Sequence, residues 1–246
     1  MPSSIVETFT LPSSAGILAD FLLHQDIQAH FVGGVIRDSL LKIETDDIDV
    51  AVEGNALIIG KAAASNLKGT YIELDRDRGI CRVVVAGEKR FQADFVSANE
   101  GINADLARRD FTIDSMAIDI ESVGTDEGKV SFTTSNLIDP LNGRSDLNSG
   151  KLRAVSSSSL SDDPVRLMRA VRLSSQYGMR LEDKTYNQIK NIAPQLKGIA
   201  PERIRDEFLK TLSLRGASDS IRLMDKLGLL EQIIPEINQS RGVVQP

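Results

Sequence analysis

The sequence has few residues of the types that build disulfides and zinc sites. It contains one cysteine, Cys81, two histidines and no tryptophan. A single cysteine cannot form an internal disulfide, and one thiol with two imidazoles falls short of the usual ligand sets of zinc. Any bound metal ion is therefore expected to have oxygen ligands.

Long hydrophobic runs are also missing. No run of eighteen apolar residues occurs, and the first stretch, MPSSIVETFTLPSS, has neither the basic start nor the apolar segment of a secretory signal. The sequence therefore predicts no membrane partner and a cytoplasmic location.

Positive charge is scarce overall but concentrated in one region. The formal net charge is −6, which argues against nucleic-acid binding because phosphate-binding proteins usually carry a basic surface. Residues 151–215 nevertheless contain thirteen Lys or Arg and only seven Asp or Glu. We therefore expect a local basic surface in the second half of the chain.

The hydrophobic pattern changes near residue 155. Before it, helical segments alternate with predicted strands near residues 29–32, 47–52, 70–74, 81–86 and 90–96, with a turn at 87–89. After the serine run of RAVSSSSLSDD the pattern is helical. This predicts an α+β chain, with a mixed sheet and helices over residues 1–155 and an all-helical domain over residues 156–246.

The segment GGVIRDSLLKIETDDIDV combines glycines, an arginine and paired acids. Asp47 and Asp49 lie two apart on a predicted strand and so share one face, where a cation such as Mg²⁺ would offset their repulsion. Gly33 and Gly34 precede a helix, where backbone amides can approach phosphate, and Arg37 follows one turn later. A solvated strand end and a simple turn would explain each feature alone. Together they predict a nucleotide site.

The segment DDPVRLMRAVRL places Arg166, Arg169 and Arg172 at a spacing of three in one predicted helix. Asp163 and Pro164 suit the cap and first turn of that helix. A carboxylate with a guanidinium can also match the hydrogen-bonding edge of a base. A capping aspartate with a solvated basic face would give the same pattern.

Five motifs occur in the order found in the class II tRNA nucleotidyltransferase and bacterial poly(A) polymerase family. They are GGVIRDSLL with DDIDVAVEG, DLARRDFTIDSMAID, IDPLNGRSDLNSGKLRAV, DDPVRLMRAVRLSSQYG and ERIRDEFLKTL. The chain therefore resembles this family, whose head has the polymerase β fold. The resemblance implies a template-independent enzyme that adds CMP, and in some members AMP, to the 3′ end of tRNA by two-metal transfer with release of pyrophosphate.

The resemblance also implies roles for single residues. Asp47 and Asp49 would bind two Mg²⁺ ions, and Asp94 in FQADFVS is the candidate for a third catalytic carboxylate. Asp163 and Arg166 resemble the amino-acid template that selects CTP or ATP. The residues expected to contact the nucleotide are Gly33, Gly34, Arg37, Arg109, Asp163, Arg166, Arg169 and Arg172. Glu202 and Arg203 are expected to brace the template helix, and the basic surface of the helical half is expected to meet tRNA phosphates.

Three features bear on the product and on the extent of the chain. Asp114 and Ser115 stand where the family usually has Asn-Ala. Only fourteen positions separate Asp94 from Arg108, whereas CCA-adding members carry a longer mobile loop there and CC-adding members a short one. An enzyme that adds only CC would need a partner A-adding enzyme for the same tRNA. The final LLEQIIPEINQSRGVVQP resembles the approach to a metal-hydrolase domain, so the chain is expected to stop before further domains.

Three alternatives remain open. A poly(A) polymerase of the same family would share every motif and differ only in its product and its choice of RNA. A catalytically silent RNA-binding module would keep the fold, although the intact DID pair argues against it. A transferase acting on a small molecule or a protein would not need the template-like helical half.

Overall fold

The structure is a computed structural model that describes residues 7–87, 90–126 and 129–242. The expected turn at 87–89 and both ends of the chain lie partly outside these residues. Contacts divide the chain into one unit of Met1–Arg109 with Ile113–Arg144, and another of Asp110–Thr112 with Ser145–Pro246. The change of pattern near residue 155 falls within the second unit, so the division drawn from the sequence stays a prediction.

Strands are concentrated in the first part of the described chain and helices in the second. The strands are β1 (Thr8–Leu11), β2 (Ala29–Val32), β3 (Asp47–Val52), β4 (Thr70–Asp75), β5 (Ile80–Val85), β6 (Phe91–Ser97), β7 (Ala117–Asp119), β8 (Gly124–Asp126), β9 (Lys129–Thr133), β10 (Leu137–Ile138), β11 (Lys151–Leu152) and β12 (Arg180–Leu181). The helices are α1 (Ser13–Leu22), α2 (Gly34–Leu41), α3 (Ala56–Asn66), α4 (Ile102–Ala107), α5 (Gly143–Asn148), α6 (Ser159–Asp162), α7 (Arg166–Tyr177), α8 (Asp183–Ile192), α9 (Pro201–Leu212), α10 (Ala217–Lys226) and α11 (Leu230–Ile233).

Seven strands of the first unit form one mixed sheet in the order β10-β7-β2-β3-β6-β5-β4. β3 and β6 run parallel, whereas the other neighbouring pairs in this sheet are antiparallel. A parallel pair needs a crossover connection, which α3 and the β4-β5 hairpin supply here. The mixed sheet expected from the sequence is confirmed.

The sheet is stabilised by burial of apolar side chains on its central strands. Phe31 of β2, Val50 of β3 and Phe95 of β6 are fully buried, and burying each such side chain contributes about 1.5–3 kcal/mol. Helix α3 is capped by Asn55, whose side chain accepts hydrogen bonds from the backbone N–H groups of Leu57 and Ile58. These central strands hold the acidic motif in a fixed place.

The sequence-based prediction missed a second sheet of the first unit, ordered β1-β9-β8. It also missed β7 and β10. All five strands are two to five residues long, which is too short for an alternating pattern to stand out. The ring of Phe9 in β1 stacks on that of Phe132 in β9, with centroids 5.7 Å apart.

The second unit is largely helical and contains α6 to α11. Its described strands are β11 and β12, two residues each, which pair in parallel. The predicted α+β class, with a mixed sheet followed by a helical region, is confirmed. No helix in the part of the chain that the structure describes is long and apolar enough to cross a membrane.

Candidate active site

The central strands of the sheet place two of the predicted acids, Asp49 and Asp94, opposite each other. Asp47 and Asp49 both lie on β3, and the parallel register with β6 places Asp49 directly opposite Asp94. On its other side Asp49 lies opposite Val32, the residue before Gly33. The acidic motif and the glycine pair are therefore neighbours in the sheet.

Asp94 is bound by an arginine that the sequence had not singled out. Arg82 on β5 lies opposite Asp94 in the antiparallel register. Its Nε and Nη2 atoms donate hydrogen bonds of 2.6 and 2.7 Å to the two carboxylate oxygens of Asp94. Hydrogen bonding by Asp94 raises the pKa of Arg82 above its usual value, so the guanidinium is a firmly charged partner at this site.

Gly33 is required by both its backbone angle and its surroundings. Its φ of +71° lies in the left-handed region that favours glycine. A Cβ at this position would stand 2.5 Å from Nη1 of Arg109 and 3.1 Å from Oδ2 of Asp49. The backbone at Gly33 therefore approaches both an acid of the DID motif and the predicted nucleotide contact Arg109, while Gly34 opens helix α2.

Arg37 is buried on α2 and held by acids on either side. Its Nε donates a hydrogen bond of 2.9 Å to Asp38, and its Nη1 donates to Oδ1 of Asp114. Only 7% of the Arg37 side chain and 3% of the Asp114 side chain are exposed. The aspartate that departs from the usual family residue thus forms a buried ion pair with the expected triphosphate contact.

Arg109 lies beside the same group of residues. Its Nε and Nη2 donate hydrogen bonds of 3.0 and 2.9 Å to Asp105, and its Nη1 donates to the backbone oxygen of Asp114 at 3.4 Å. Burial opposes the charge of Arg109, but Asp105, Asp49 and Asp114 outweigh it and raise the pKa of Arg109 above its usual value. Arg109 is a permanent cation next to the glycine turn.

The second unit holds Asp163 differently from our expectation. Helix α7 begins at Arg166 with Val165 as its cap, and Asp163 is extended. The helix therefore starts two residues later than predicted, although the N–H of Arg166 donates to the backbone oxygen of Asp163 and that of Leu167 to the backbone oxygen of Pro164, so these two residues form the turn that leads into α7. The side chain of Asp163 accepts hydrogen bonds of 3.0 and 2.7 Å from Arg203 of α9, one on each carboxylate oxygen.

The three arginines of the expected basic stripe lie on α7 and contact oxygen atoms of their own unit. Nη1 of Arg166 donates to the backbone oxygen of Ser159 at 2.8 Å. Arg169 forms an ion pair with Asp110 at 2.6 Å. Arg172 forms one with Glu207 of α9, also at 2.6 Å. Helix α9 therefore contacts this region through two ion pairs, Arg203 with Asp163 and Glu207 with Arg172.

The donor set of the first unit fits a hard divalent cation only in part. Asp47 and Asp49 offer carboxylate oxygens on one face of β3, and Mg²⁺ is commonly held by one or two carboxylates completed by water and substrate phosphates. Within the described residues no group of three or more His, Cys, Asp or Glu is arranged to hold a metal ion. Asp47 and Asp49 could therefore hold such an ion, whereas both carboxylate oxygens of Asp94 accept hydrogen bonds from Arg82.

The order of motifs and the geometry of the acids find their counterpart in known proteins. A family model described as the Poly A polymerase head domain matches residues 29–153. The chain belongs to this family. A second model, described as "Probable RNA and SrmB- binding site of polymerase A", matches residues 178–240. The family is one of nucleotidyltransferases that use divalent metal ions.

Relatives of this poly A polymerase head family include proteins with different products. The CC-adding tRNA nucleotidyltransferase of Geobacter sulfurreducens is 36% identical over 220 residues, covering 89% of this chain and 47% of that protein. The A-adding tRNA nucleotidyltransferase of Deinococcus radiodurans is 36% identical over 222 residues, covering 88% and 47%. The chain thus spans about half the length of the curated relatives it matches. The expected resemblance to tRNA nucleotidyltransferases is confirmed.

A solved structure shares the fold over nearly the whole chain. The Thermotoga maritima CCA-adding enzyme complexed with tRNA superposes with a TM-score of 0.76 at 29% identity, covering 95% of this chain and 53% of that one. This similarity supports the polymerase β type head and the helical region that follows it.

Sequence reasoning missed the partners that hold the expected residues of this family member. Arg82, Asp105 and Asp110 each bind a residue that we had singled out. The i to i+4 spacing of Asp105, in α4, and Arg109, just after that helix, was a usable signal. Arg82 and Asp94 are paired across two neighbouring strands, so their contact depends on the β5-β6 register.

The connection that follows the strand of Asp94 is short in the structure as well as in the sequence. β6 ends at Ser97 and α4 begins at Ile102. The four residues between them are tied down, because the N–H of Ala98 donates to the oxygen of Val52 and that of Gly101 to the oxygen of Ala98. The described segment therefore contains no long loop between β6 and α4.

Proposed function

We propose that the chain is the nucleotide-adding part of a tRNA nucleotidyltransferase, which transfers CMP from CTP to the 3′ end of tRNA for CCA-end synthesis or repair. The observation that carries this proposal is the register that sets Asp49 opposite Asp94 beside the glycine turn. Family membership and the relatives that add nucleotides to tRNA support it. A cytoplasmic location follows from such a role.

In this proposal the first unit binds the metal ions and the triphosphate. Asp47 and Asp49 hold Mg²⁺, which when bound lowers the pKa of the RNA 3′-hydroxyl and stabilises the departing pyrophosphate. The backbone amides after Gly33 and Gly34, at the start of α2, face the phosphates. Arg37 and Arg109 supply permanent positive charge, since guanidinium groups suit phosphate oxygens.

The second unit selects the base. Asp163 and Arg166 combine an acceptor with donors, the pair that a pyrimidine or purine edge requires. Arg203 fixes the carboxylate of Asp163 from α9, so the acceptor is held ready before a nucleotide arrives. Arg169 and Arg172 are the further nucleotide contacts of the same helix, and tRNA phosphates meet the basic surface of residues 151–215.

We further propose that the product is CC and that a partner A-adding enzyme completes the same tRNA. The short, tied segment of Ala98 to Gly101 supports this, because complete CCA addition is associated in this family with a longer mobile loop. ATP remains the second candidate substrate, as the A-adding relative is as similar as the CC-adding one.

The test is single-nucleotide gel analysis of a tRNA lacking its CCA end, with Mg²⁺ and CTP or ATP given separately and then together. Two added residues with CTP, and no more when ATP is included, is the expected result. Three residues would make the chain a complete CCA-adding enzyme, and a single A added to tRNA ending in CC would make it an A-adding one. A long ladder with ATP alone would instead indicate a poly(A) polymerase.

The matched negative control is Asp49→Asn, which keeps the size of the side chain and removes one metal-binding charge. Transfer should fall below detection while the thermal unfolding midpoint stays close to that of the unchanged protein. Undiminished transfer by Asp49→Asn would remove the assigned metal site. Absence of transfer by the unchanged chain, on every tRNA end tested, would favour the silent RNA-binding module.

A further inference from the structure

Three adjacent strands place a row of charged side chains on one face of the large sheet. The β5-β6 register sets Arg82 opposite Asp94, and the β6-β3 register sets Asp94 opposite Asp49. In the antiparallel β5-β6 pair, directly opposite residues such as Arg82 and Asp94 have Cβ atoms about 4.5–5.5 Å apart. A cation and an anion therefore stand next to the acids proposed to hold the metal.

Arg82, the cation of this row, donates hydrogen bonds to both carboxylate oxygens of Asp94. Nε of Arg82 bonds to Oδ1 of Asp94 at 2.6 Å and Nη2 bonds to Oδ2 at 2.7 Å. The two side chains are 33% and 28% exposed, so the pair is half-buried at the sheet surface. A two-pronged guanidinium–carboxylate contact fixes the orientation of the carboxylate as well as its charge.

This arrangement explains why Asp94 does not complete a cluster of three ligands. Within the described residues no such cluster is formed, although the register brings Asp94 beside Asp49. Asp94 lies next to Asp49 in the sheet, but its carboxylate oxygens bond to Arg82. The positive charge of Arg82 also interacts with Asp47 and Asp49, so a metal ion entering there meets a resident cation.

We propose that Arg82 is a positioning residue that holds Asp94 as an ion-pair partner and so limits the protein ligands of the metal to Asp47 and Asp49. This inference rests on the proposed metal site and refines it. The consequence is a weaker metal site, in which water and the nucleotide phosphates supply the remaining ligands. Metal and nucleotide then depend on each other for tight binding.

The test is a double-mutant cycle read by isothermal titration with Mn²⁺ alone, without nucleotide or tRNA. Arg82→Gln releases Asp94 and should tighten Mn²⁺ binding about tenfold, the scale of residues that support metal ligands. In the Asp94→Asn background the same Arg82→Gln change should give less than about a threefold gain. If Arg82→Gln increased Mn²⁺ affinity equally with Asp94 and with Asp94→Asn, Arg82 would act through its charge alone, and the proposal would be overturned. No increase in Mn²⁺ affinity in either background would also overturn it.

Two further variants keep the test decisive. Arg82→Lys keeps the charge but loses the two-pronged contact, so it should also tighten Mn²⁺ binding, and a Kd equal to that of the unchanged protein would contradict the proposal even if Arg82→Gln fails to fold. Arg76→Gln removes the same charge from an exposed pair with Glu73 and should leave the Kd unchanged. A tightening of Mn²⁺ binding by Arg76→Gln equal to that by Arg82→Gln would overturn the proposal.

The outcome is separable from that of the proposed function. Loss of Mn²⁺ binding in Asp49→Asn tests the metal site, and CMP transfer to tRNA tests the reaction. If neither the unchanged chain nor Arg82→Gln binds Mn²⁺, the inference about Arg82 is overturned whatever the transfer assay shows.

Discussion

Arg203 of α9 grips both carboxylate oxygens of Asp163, the residue that we expected to act as a helix cap. The side chain of Asp163 is 22% exposed, whereas that of Arg203 is 52% exposed. A carboxylate held in this way keeps one orientation, which is what selection of a base by hydrogen bonding requires. The residue expected only to brace the helix therefore controls the residue expected to select the nucleotide.

Loss of the Arg203–Asp163 ion pair should weaken the preference for one nucleotide over the other. Arg203→Ala and Asp163→Ala should each lower the preference for CTP over ATP about tenfold, equivalent to about 1.4 kcal/mol. Because the two residues act as a pair, the double variant should be no worse than either single one. The measurement is the ratio of kcat/KM values for the two nucleotides.

The matched control for that prediction is Arg205→Ala, which removes an exposed arginine of the same helix, paired with its neighbour Asp206. The preference for CTP should be unchanged in Arg205→Ala. Additive losses in the Arg203 and Asp163 double variant would show that the pair does not act as one unit.

The glycine turn gives a second prediction. Gly33→Ala combines a positive φ with a Cβ directed at Arg109, so it should weaken CTP binding by roughly tenfold or more, the value of one lost hydrogen bond to a charged group. Gly150→Ala is the control, because Gly150 has a φ of +61° but open space around its Cα. Gly150→Ala should lose about 1–2 kcal/mol of stability and Gly33→Ala more, because its Cβ also has to displace Arg109, but only Gly33→Ala should lose CTP affinity.

Asp114 gives a third prediction. Asp114→Asn keeps an acceptor for Arg37 but removes a buried negative charge, so CTP should bind roughly threefold to tenfold more tightly. The protein should lose about 1–3 kcal/mol of unfolding free energy, because a hydrogen bond to a charged partner is weakened. Isothermal titration with CTP and thermal unfolding give the two values. Asp20→Asn makes the same charge change at an exposed residue of α1 and should alter neither.

Cys81 gives a prediction about pH. Burial raises the pKa of its thiol from 9.0 to about 11. Between these values the unfolded chain loses the thiol proton while the folded chain keeps it, so stability is present in full below pH 9 and falls as the pH rises towards 11. The loss is at most about 3 kcal/mol. Denaturant unfolding at pH 8 and pH 10.5 should show it, and the fall should be smaller in Cys81→Ala.

The sequence predicted the elements with a strong hydrophobic pattern. β2 and β3 were predicted with the bounds that the structure has, and β4, β5 and β6 to within one residue at each end. Their alternating apolar side chains are the ones that the sheet buries, so pattern and structure have one cause. Two of the missed pairings, β7 with β2 and β9 with β1, join strands far apart along the chain. β8 and β10 have only three and two residues, so no local pattern marks them.

The candidate site was predicted by residue type but not by partnership. Asp49, Gly33 and Arg109 lie near one another as their motifs implied. The ion pairs of Arg37 with Asp114 and of Asp94 with Arg82 depend on strand register and on buried geometry. The sequence around Asp163 is compatible with a helix cap and with an ion-pair partner. Tertiary contacts determine which role the side chain has.

The parallel pairing of β3 with β6 also limits how the acidic motif can be transplanted. Asp49 and Asp94 meet although forty-five positions separate them, and the carbonyl and amide groups of one side of β3 bond to β6. A fragment ending before Phe91 would contain the whole DID motif, but β3 would then be an exposed edge strand. The unpaired backbone groups of such a strand can pair with strands of other molecules. Insertion of the motif into another protein would therefore produce an aggregation-prone strand, unless the β4-β5 hairpin and β6 travelled with it.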